Sequence, residues 1–154
     1  MSDSAGEVVR EFTRAMRDGE LDRALDDLAT DDIVFENVPM QPPAQVVSGR
    51  EIVRSRLAAL YEVGTAERFD IVHQIEDGDV VMHERIDSFR FPPGTFPKGD
   101  VFAMRVASVF TVRDGRVASW RDYYDLGVFE IELGVDLAEF GRIVGHRYAE
   151  SRPS

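Results

Sequence analysis

Three charged residues carry the clearest prospect of chemistry in this chain. In Glu84-Arg85-Ile86-Asp87 the Arg85 and Asp87 side chains are two residues apart. On a strand they point the same way, roughly 6.6 Å apart along the backbone. The strand predicted for Val80 to Phe91 carries Val81, His83, Arg85, Asp87, Phe89 and Phe91 on one face. Val80, Met82, Glu84, Ile86, Ser88 and Arg90 occupy the other. The phenylalanines mark the first face as partly buried, so its charges need partners. Asp122, in Trp120-Arg121-Asp122-Tyr123-Tyr124, can supply one. An arginine held between two carboxylates fixes both geometries. Neighbouring carboxylates resist double ionisation, which leaves an acid and a base side by side. The same spacing also suits a purely structural ion pair between two strands. Asn37, two residues before Pro39, offers an amide that serves either a site or a turn cap.

The elements that must position these residues can be read from periodicity. Ser4 and Glu7 form a capping box before a helical stripe of Val8 or Val9, Phe12 and Met16. Leu21, Ala24, Leu25 and Leu28 predict a second helix. Asp31-Asp32 reads as a turn, and Ile33 to Val38 as a strand with Ile33, Phe35 and Asn37 on one face. A loop at Gln41-Pro42-Pro43 follows. Ser48 and Glu51 suggest a second capping box, opening a helix striped by Val53, Leu57, Leu60 and Tyr61. The period then changes to two. Phe69, Ile71, His73 and Ile75 share a face; Asp77-Gly78 and Asp114-Gly115 signal hairpins. Strands are predicted at Val101 to Val112 and Val117 to Tyr124, and a last helix at Leu137 to Tyr148. Helices first and an antiparallel meander second imply an α+β domain, with helices on one face of a curved sheet. Such a sheet leaves a hollow suited to a small molecule. Residues 1–154 are expected to form one domain, with 134–154 as a C-terminal extension.

Composition narrows the classes. A chain of 154 residues with 44% hydrophobic content can build one real core. A net charge of −11 repels phosphate backbones and acidic membranes, so neither nucleic acid nor a membrane is an expected partner. The absence of cysteine excludes disulfides, thiolate chemistry and Cys-zinc sites. With no leader pattern and no membrane-length apolar run, the expected compartment is the cytoplasm. His73, His83 and His146 show no metal-pair spacing, and no phosphate loop or nucleophile elbow is present. His83 shares the Arg85 face, either as a packed, hydrogen-bonded histidine or at the border of a pocket.

Glu36-Asn37-Val38-Pro39, Glu84-Arg85-Ile86-Asp87 and Trp120-Arg121-Asp122-Tyr123-Tyr124-Asp125-Leu126 together resemble the signature segments of the limonene epoxide hydrolases, in order and approximate spacing. The resemblance runs from about Val8 to Phe129. It implies a cone-shaped, strongly curved, mixed but mainly antiparallel sheet with helices over its concave face, the NTF2-like (cystatin-like, SnoaL-like) fold. It implies Asp87 as general acid toward the epoxide oxygen, Asp122 as general base toward water, Arg85 as their bridge, and Asn37 as an aid in orienting the water. It further implies no metal or cofactor, no covalent intermediate, and a homodimer. A pocket of Met104, Val106, Phe129, Phe102 and Phe89, bordered by Phe35 and His83, would take a terpene-, steroid- or polyketide-like epoxide. One position departs from the pattern: Phe35 stands where the family has a water-binding tyrosine, and Tyr123, Tyr124 and His83 are candidates to replace its hydroxyl. The competing readings are a ketosteroid-isomerase-like or SnoaL-like isomerase or cyclase, and a non-catalytic binder of a hydrophobic metabolite.

Overall fold

The computed structural model describes residues 3–42 and 45–152. Helix α1 (Ala5–Arg17) starts at Ser4, whose hydroxyl accepts from the Glu7 amide while the Glu7 carboxylate accepts from the Ser4 amide. Its apolar stripe of Val8, Val9, Phe12 and Met16 is buried. The predicted second helix is a short π-helical turn, Arg23–Asp27, with Ala24 and Leu25 buried. Strand β1 (Ala29–Asn37) contains Asp31 and Asp32, which were expected to form a turn. Its register shifts between Ala29 and Val34, and the two aspartates stay exposed in that irregular stretch, paired to Arg50 and Arg113. Of the expected proline loop, Pro43 lies outside the described residues.

Strand β2 (Val46–Ser48) leads to α2 (Arg50–Val63). The expected Ser48–Glu51 capping box is absent: Ser48 pairs with Val34, and Gly49 caps α2 at φ 96°, a backbone that glycine tolerates. Strands β3 (Thr65–Asp77), β4 (Val80–Arg90), β5 (Val101–Arg113) and β6 (Arg116–Tyr123) form the meander. The β5–β6 turn is Asp114-Gly115, both at positive φ as a type I′ hairpin requires. The β3–β4 turn is Gly78-Asp79, one residue later than expected, because Asp77 pairs with Val80. Helix α3 (Gly127–Leu133), which the pattern did not reveal, and α4 (Leu137–Ser151) complete the chain.

The sheet order is β2-β1-β6-β5-β4-β3, with β1 parallel to β6 and the other neighbours antiparallel. Helix α2 touches both β1 and β3, four strand positions apart. In a flat sheet these strands would lie about 19 Å apart, wider than one helix. The sheet therefore curls, and its concave face holds the core beneath α1, α2 and α4. The β3 register slips between Ile71 and His73. Beyond that slip Gln74 faces inward against His83, whereas His73 and Ile75, expected to share the face of Phe69, lie exposed.

Candidate active site

Pairing between strands lays the polar residues out in rows across the concave face. Gln74 pairs with His83, His83 with Ser108, Ser108 with Asp122, and Asp122 with Asn37. This row crosses five strands from β3 to β1. In parallel rows Arg85 pairs with Val106 and Asp87 with Met104. Directly paired side chains lie about 5 Å apart, close enough to bond. Arg85, Asp87 and Asp122 are thus brought together, with side chains only 2%, 3% and 7% exposed.

Arg85 uses its fixed fork of N–H groups unequally. Its Nε donates to Asp87 Oδ1 at 2.5 Å and its Nη2 to Asp87 Oδ2 at 2.8 Å, a bidentate grip. Its Nη1 donates to Ser108 Oγ and to His83 Nε2, each at 2.9 Å. Asp122 Oδ2 lies 3.6 Å from Nη2, an ion pair without a hydrogen bond. The bridge to Asp122 runs instead through Ser108, whose hydroxyl donates to Asp122 Oδ1 at 2.5 Å. Trp120 Nε1 donates to the same oxygen at 2.6 Å. Oδ1 is therefore the anchored oxygen of Asp122, and Oδ2 takes neither bond.

The charges follow from this geometry. Burial raises the pKa of Asp122 above the usual carboxylate range; Arg85 opposes the rise and the Asp87 charge adds to it. Burial alone would lower the pKa of Arg85, but Asp87 and Asp122 reverse this and hold the guanidinium charged. His83 is pushed down to about 3 by burial and by Arg85, with Arg10 adding to the effect. It is therefore neutral: Nε2 accepts from Arg85, and Nδ1–H donates to Gln74 Oε1 at 3.0 Å. Gln74 in turn donates to the Gly6 carbonyl at 3.0 Å, tying the network to the first turn of α1.

Asp87 and Asp122 lie in the wall of a cavity of about 340 Å³, together with Asn37 and Phe35. Phe89, Phe102, Met104 and Phe129 line it as well. Val106 and His83, also expected there, are buried but are not part of this wall. His83 is held behind Arg85 by its two hydrogen bonds and its edge contact with Phe110. The other wall is helical: Leu57, Leu60 and Tyr61 come from α2, and Leu137, Phe140 and Val144 from α4.

Residues 3–132 match the limonene-1,2-epoxide hydrolase catalytic domain. The chain belongs to the limonene-1,2-epoxide hydrolase family. It is 31% identical over 121 residues to epoxide hydrolase EphG of Mycobacterium tuberculosis, covering 77% of this chain and 72% of the relative. The solved structure of an M. tuberculosis epoxide hydrolase of the same type superposes with a TM-score of 0.69 at 27% identity, over 90% of this chain and 95% of that one. A protein of Pseudomonas putida KT2440 described as a candidate polyketide cyclase gives a TM-score of 0.71 at 17% identity, over 86% and 99% of the two chains. At that identity the likeness is one of fold. Helix α4 lies beyond the family match.

Within the family frame the departure at position 35 takes a definite form. The Phe35 ring stacks on Trp120 with centroids 4.1 Å apart. Of the residues considered as substitutes for a tyrosine hydroxyl there, Tyr123 is 42% exposed on the outer face of β6, and His83 is engaged behind Arg85. Tyr124 does line the cavity, and burial together with Asp122 raises its pKa. Sequence reading missed Ser108, which looks ordinary until β5 is registered against both β4 and β6. It also missed Tyr61 as a polar group and α4 as a wall. In the sequence Tyr61 reads only as part of an apolar stripe.

Proposed function

We propose that the protein adds water to an epoxide on a hydrophobic small molecule, in one acid–base step without a covalent intermediate or a cofactor. The observation that supports this most is the junction at Arg85, which couples two buried carboxylates in the wall of a mostly apolar cavity. Asp122 takes a proton from a water that Asn37 helps to orient. The water oxygen bonds to an epoxide carbon, the carbon–oxygen bond opens, and the released oxygen takes a proton from Asp87. Burial strengthens Asp122 as a base by raising its pKa. The reaction draws on the form of the site in which Asp87 carries a proton and Asp122 does not. After opening, a proton passing from Asp122 to Asp87 through solvent resets the site.

Small-molecule sites run from roughly 300 to 1,000 Å³. A cavity of about 340 Å³ is at the small end and favours a compact cyclic epoxide over an extended one. The test is incubation with a panel of cyclic epoxides in oxygen-18 water. One labelled oxygen in a diol product supports the proposal; a panel left intact removes it. Isomerase or cyclase chemistry by a single carboxylate is favoured by the missing hydroxyl at Phe35, and would appear as deuterium exchange into a ketone substrate without diol. The expected homodimer has a suitable surface on the outer face, where Ile75, Val80, Met82 and Tyr123 stand exposed. Sedimentation of wild type and Met82→Glu tests it. Among the described residues no helix is long and apolar enough to cross a membrane.

A further inference from the structure

Tyr61 projects from α2 into the wall of the cavity, with its ring edge-on to Phe89 at a centroid distance of 5.5 Å. Its hydroxyl is buried and has no hydrogen-bond partner. The other such atoms among the described residues, Thr30 Oγ1 and Arg50 Nε, belong to residues outside the cavity wall. A buried donor without a partner is costly, and phenylalanine at this position would keep the ring contact without that cost. The hydroxyl therefore calls for a partner that arrives with a ligand.

Its position indicates which ligand atom that is. Phe89 follows Asp87 by two residues on the same face of β4, so the Tyr61 ring sits on the acid side of the cavity. Asn37 pairs with Asp122 and sits on the base side. We propose that the Tyr61 hydroxyl donates a hydrogen bond to the epoxide oxygen as the ring opens, beside Asp87. This rests on the hydrolase reading above. In the step, the water oxygen bonds to carbon and the carbon–oxygen electron pair goes to the epoxide oxygen. That oxygen takes the Asp87 proton, and Asp122 takes one from water. Tyr61 keeps its own proton throughout. Burial holds its pKa well above that of an ordinary phenol; the Asp87 carboxylate adds to this once its proton has gone, and Arg85 only partly offsets it. A donor that does not ionise suits an oxygen gaining negative charge.

The role is catalytic, since the hydroxyl touches a reacting atom, and it differs from the one missing at Phe35, which lies on the water side. Two variants separate chemistry from packing. Tyr61→Phe loses only the hydroxyl; Tyr61→Leu also loses the ring contact with Phe89. Both should lower kcat on the best epoxide by about ten- to hundredfold, the worth of a hydrogen bond to a charged group. KM should change little, because the bond strengthens only as the ring opens. Tyr61→Phe should melt at or above the wild-type temperature, and only Tyr61→Leu below it. Wild-type kcat in Tyr61→Phe, or a rate loss confined to the destabilised Leu variant, overturns the inference and leaves the hydrolase reading standing. A wild-type protein that forms no diol from any epoxide overturns both together.

Discussion

The strand wall and the helical wall of the cavity divide the work. β4, β5, β6 and β1 supply the charged and polar groups, each placed by register; Arg85, Ser108 and Asp122 are joined by hydrogen bonds between strands, and Asp87 is gripped by Arg85 within β4. α2 and α4 supply mostly apolar surface, with Tyr61 as an unpaired polar atom. A sheet can hold a carboxylate at a fixed distance from its partner because its neighbours are set by backbone pairing. Helices packed by side chains alone define shape more than angle. The difference teaches that chemistry and substrate fit should fail separately when each wall is altered.

The strand wall gives the largest effect. Asp122→Asn should lower single-turnover hydrolysis by about 10²–10⁴-fold, because an amide cannot accept the water proton. The fold should survive, since the Asn oxygen still accepts from Ser108 and Trp120 and Arg85 keeps Asp87. Asp87→Asn should cost a similar factor in rate, with a larger loss of stability, because it leaves Arg85 without its bidentate partner. Rapid-quench product analysis beside denaturant unfolding checks both; near-native turnover in either would end the two-carboxylate scheme. On the helical wall, Phe140 packs against Phe91, Phe96, Phe102 and Phe129. Phe140→Ala should cost about 3–5 kcal/mol of stability. Its rate at a permissive temperature should fall much less than that of Asp122→Asn, with the change falling mainly on KM.

His83 sharpens the comparison from behind the strand wall. Its folded pKa lies below the ordinary value of 6.5, at about 3. Between those values the unfolded chain binds a proton that the folded protein refuses, so stability falls as pH drops from 6.5 toward 3. His83→Gln can accept from Arg85 and donate to Gln74 as the histidine does, but has no proton to bind. Wild type should therefore lose more stability than His83→Gln between pH 7 and pH 5, in matched urea titrations. Equal losses would show that the histidine is not held neutral behind Arg85.

The strand wall was also the legible one. Arg85, Asp87 and Asp122 could be selected because period two sorts a strand into faces and charges among phenylalanines are conspicuous. Their joining through Ser108 was not legible, since it depends on which β5 residue falls between His83 and Asp122. The slip after Ile71 hid the inward turn of Gln74, because alternation assumes an unbroken pleat. The helical wall was read only as stripes. A tyrosine at helical spacing looks like any other core residue until the partners of its hydroxyl are counted, and nothing in the pattern of 137–148 says that α4 closes a cavity.

The smallest effect is expected at Phe35, on the strand wall two residues from Asn37. Phe35 and Asn37 share a face of β1, and they pair with Trp120 and Asp122 respectively. A hydroxyl added by Phe35→Tyr would enter the cavity near the water proposed between Asn37 and Asp122. The stacked Trp120 fixes the plane of the ring, so the hydroxyl should arrive already oriented. One hydrogen bond to that water is worth about 0.5–1.5 kcal/mol, a rate gain of roughly two- to tenfold if it is realised in the transition state. KM should hold, because the bond is made to water and not to the substrate. Overpacking against the ring would show as a lower melting temperature, so rate and stability must be measured together. The double variant Phe35→Tyr with Tyr61→Phe then tests whether the sides of the cavity act independently. Hydroxyls on the water and on the epoxide oxygen should contribute separately, giving a rate change close to the product of the two single effects. If Phe35→Tyr instead rescues Tyr61→Phe fully, both hydroxyls serve one atom, and the division between the walls is not the one drawn from their geometry.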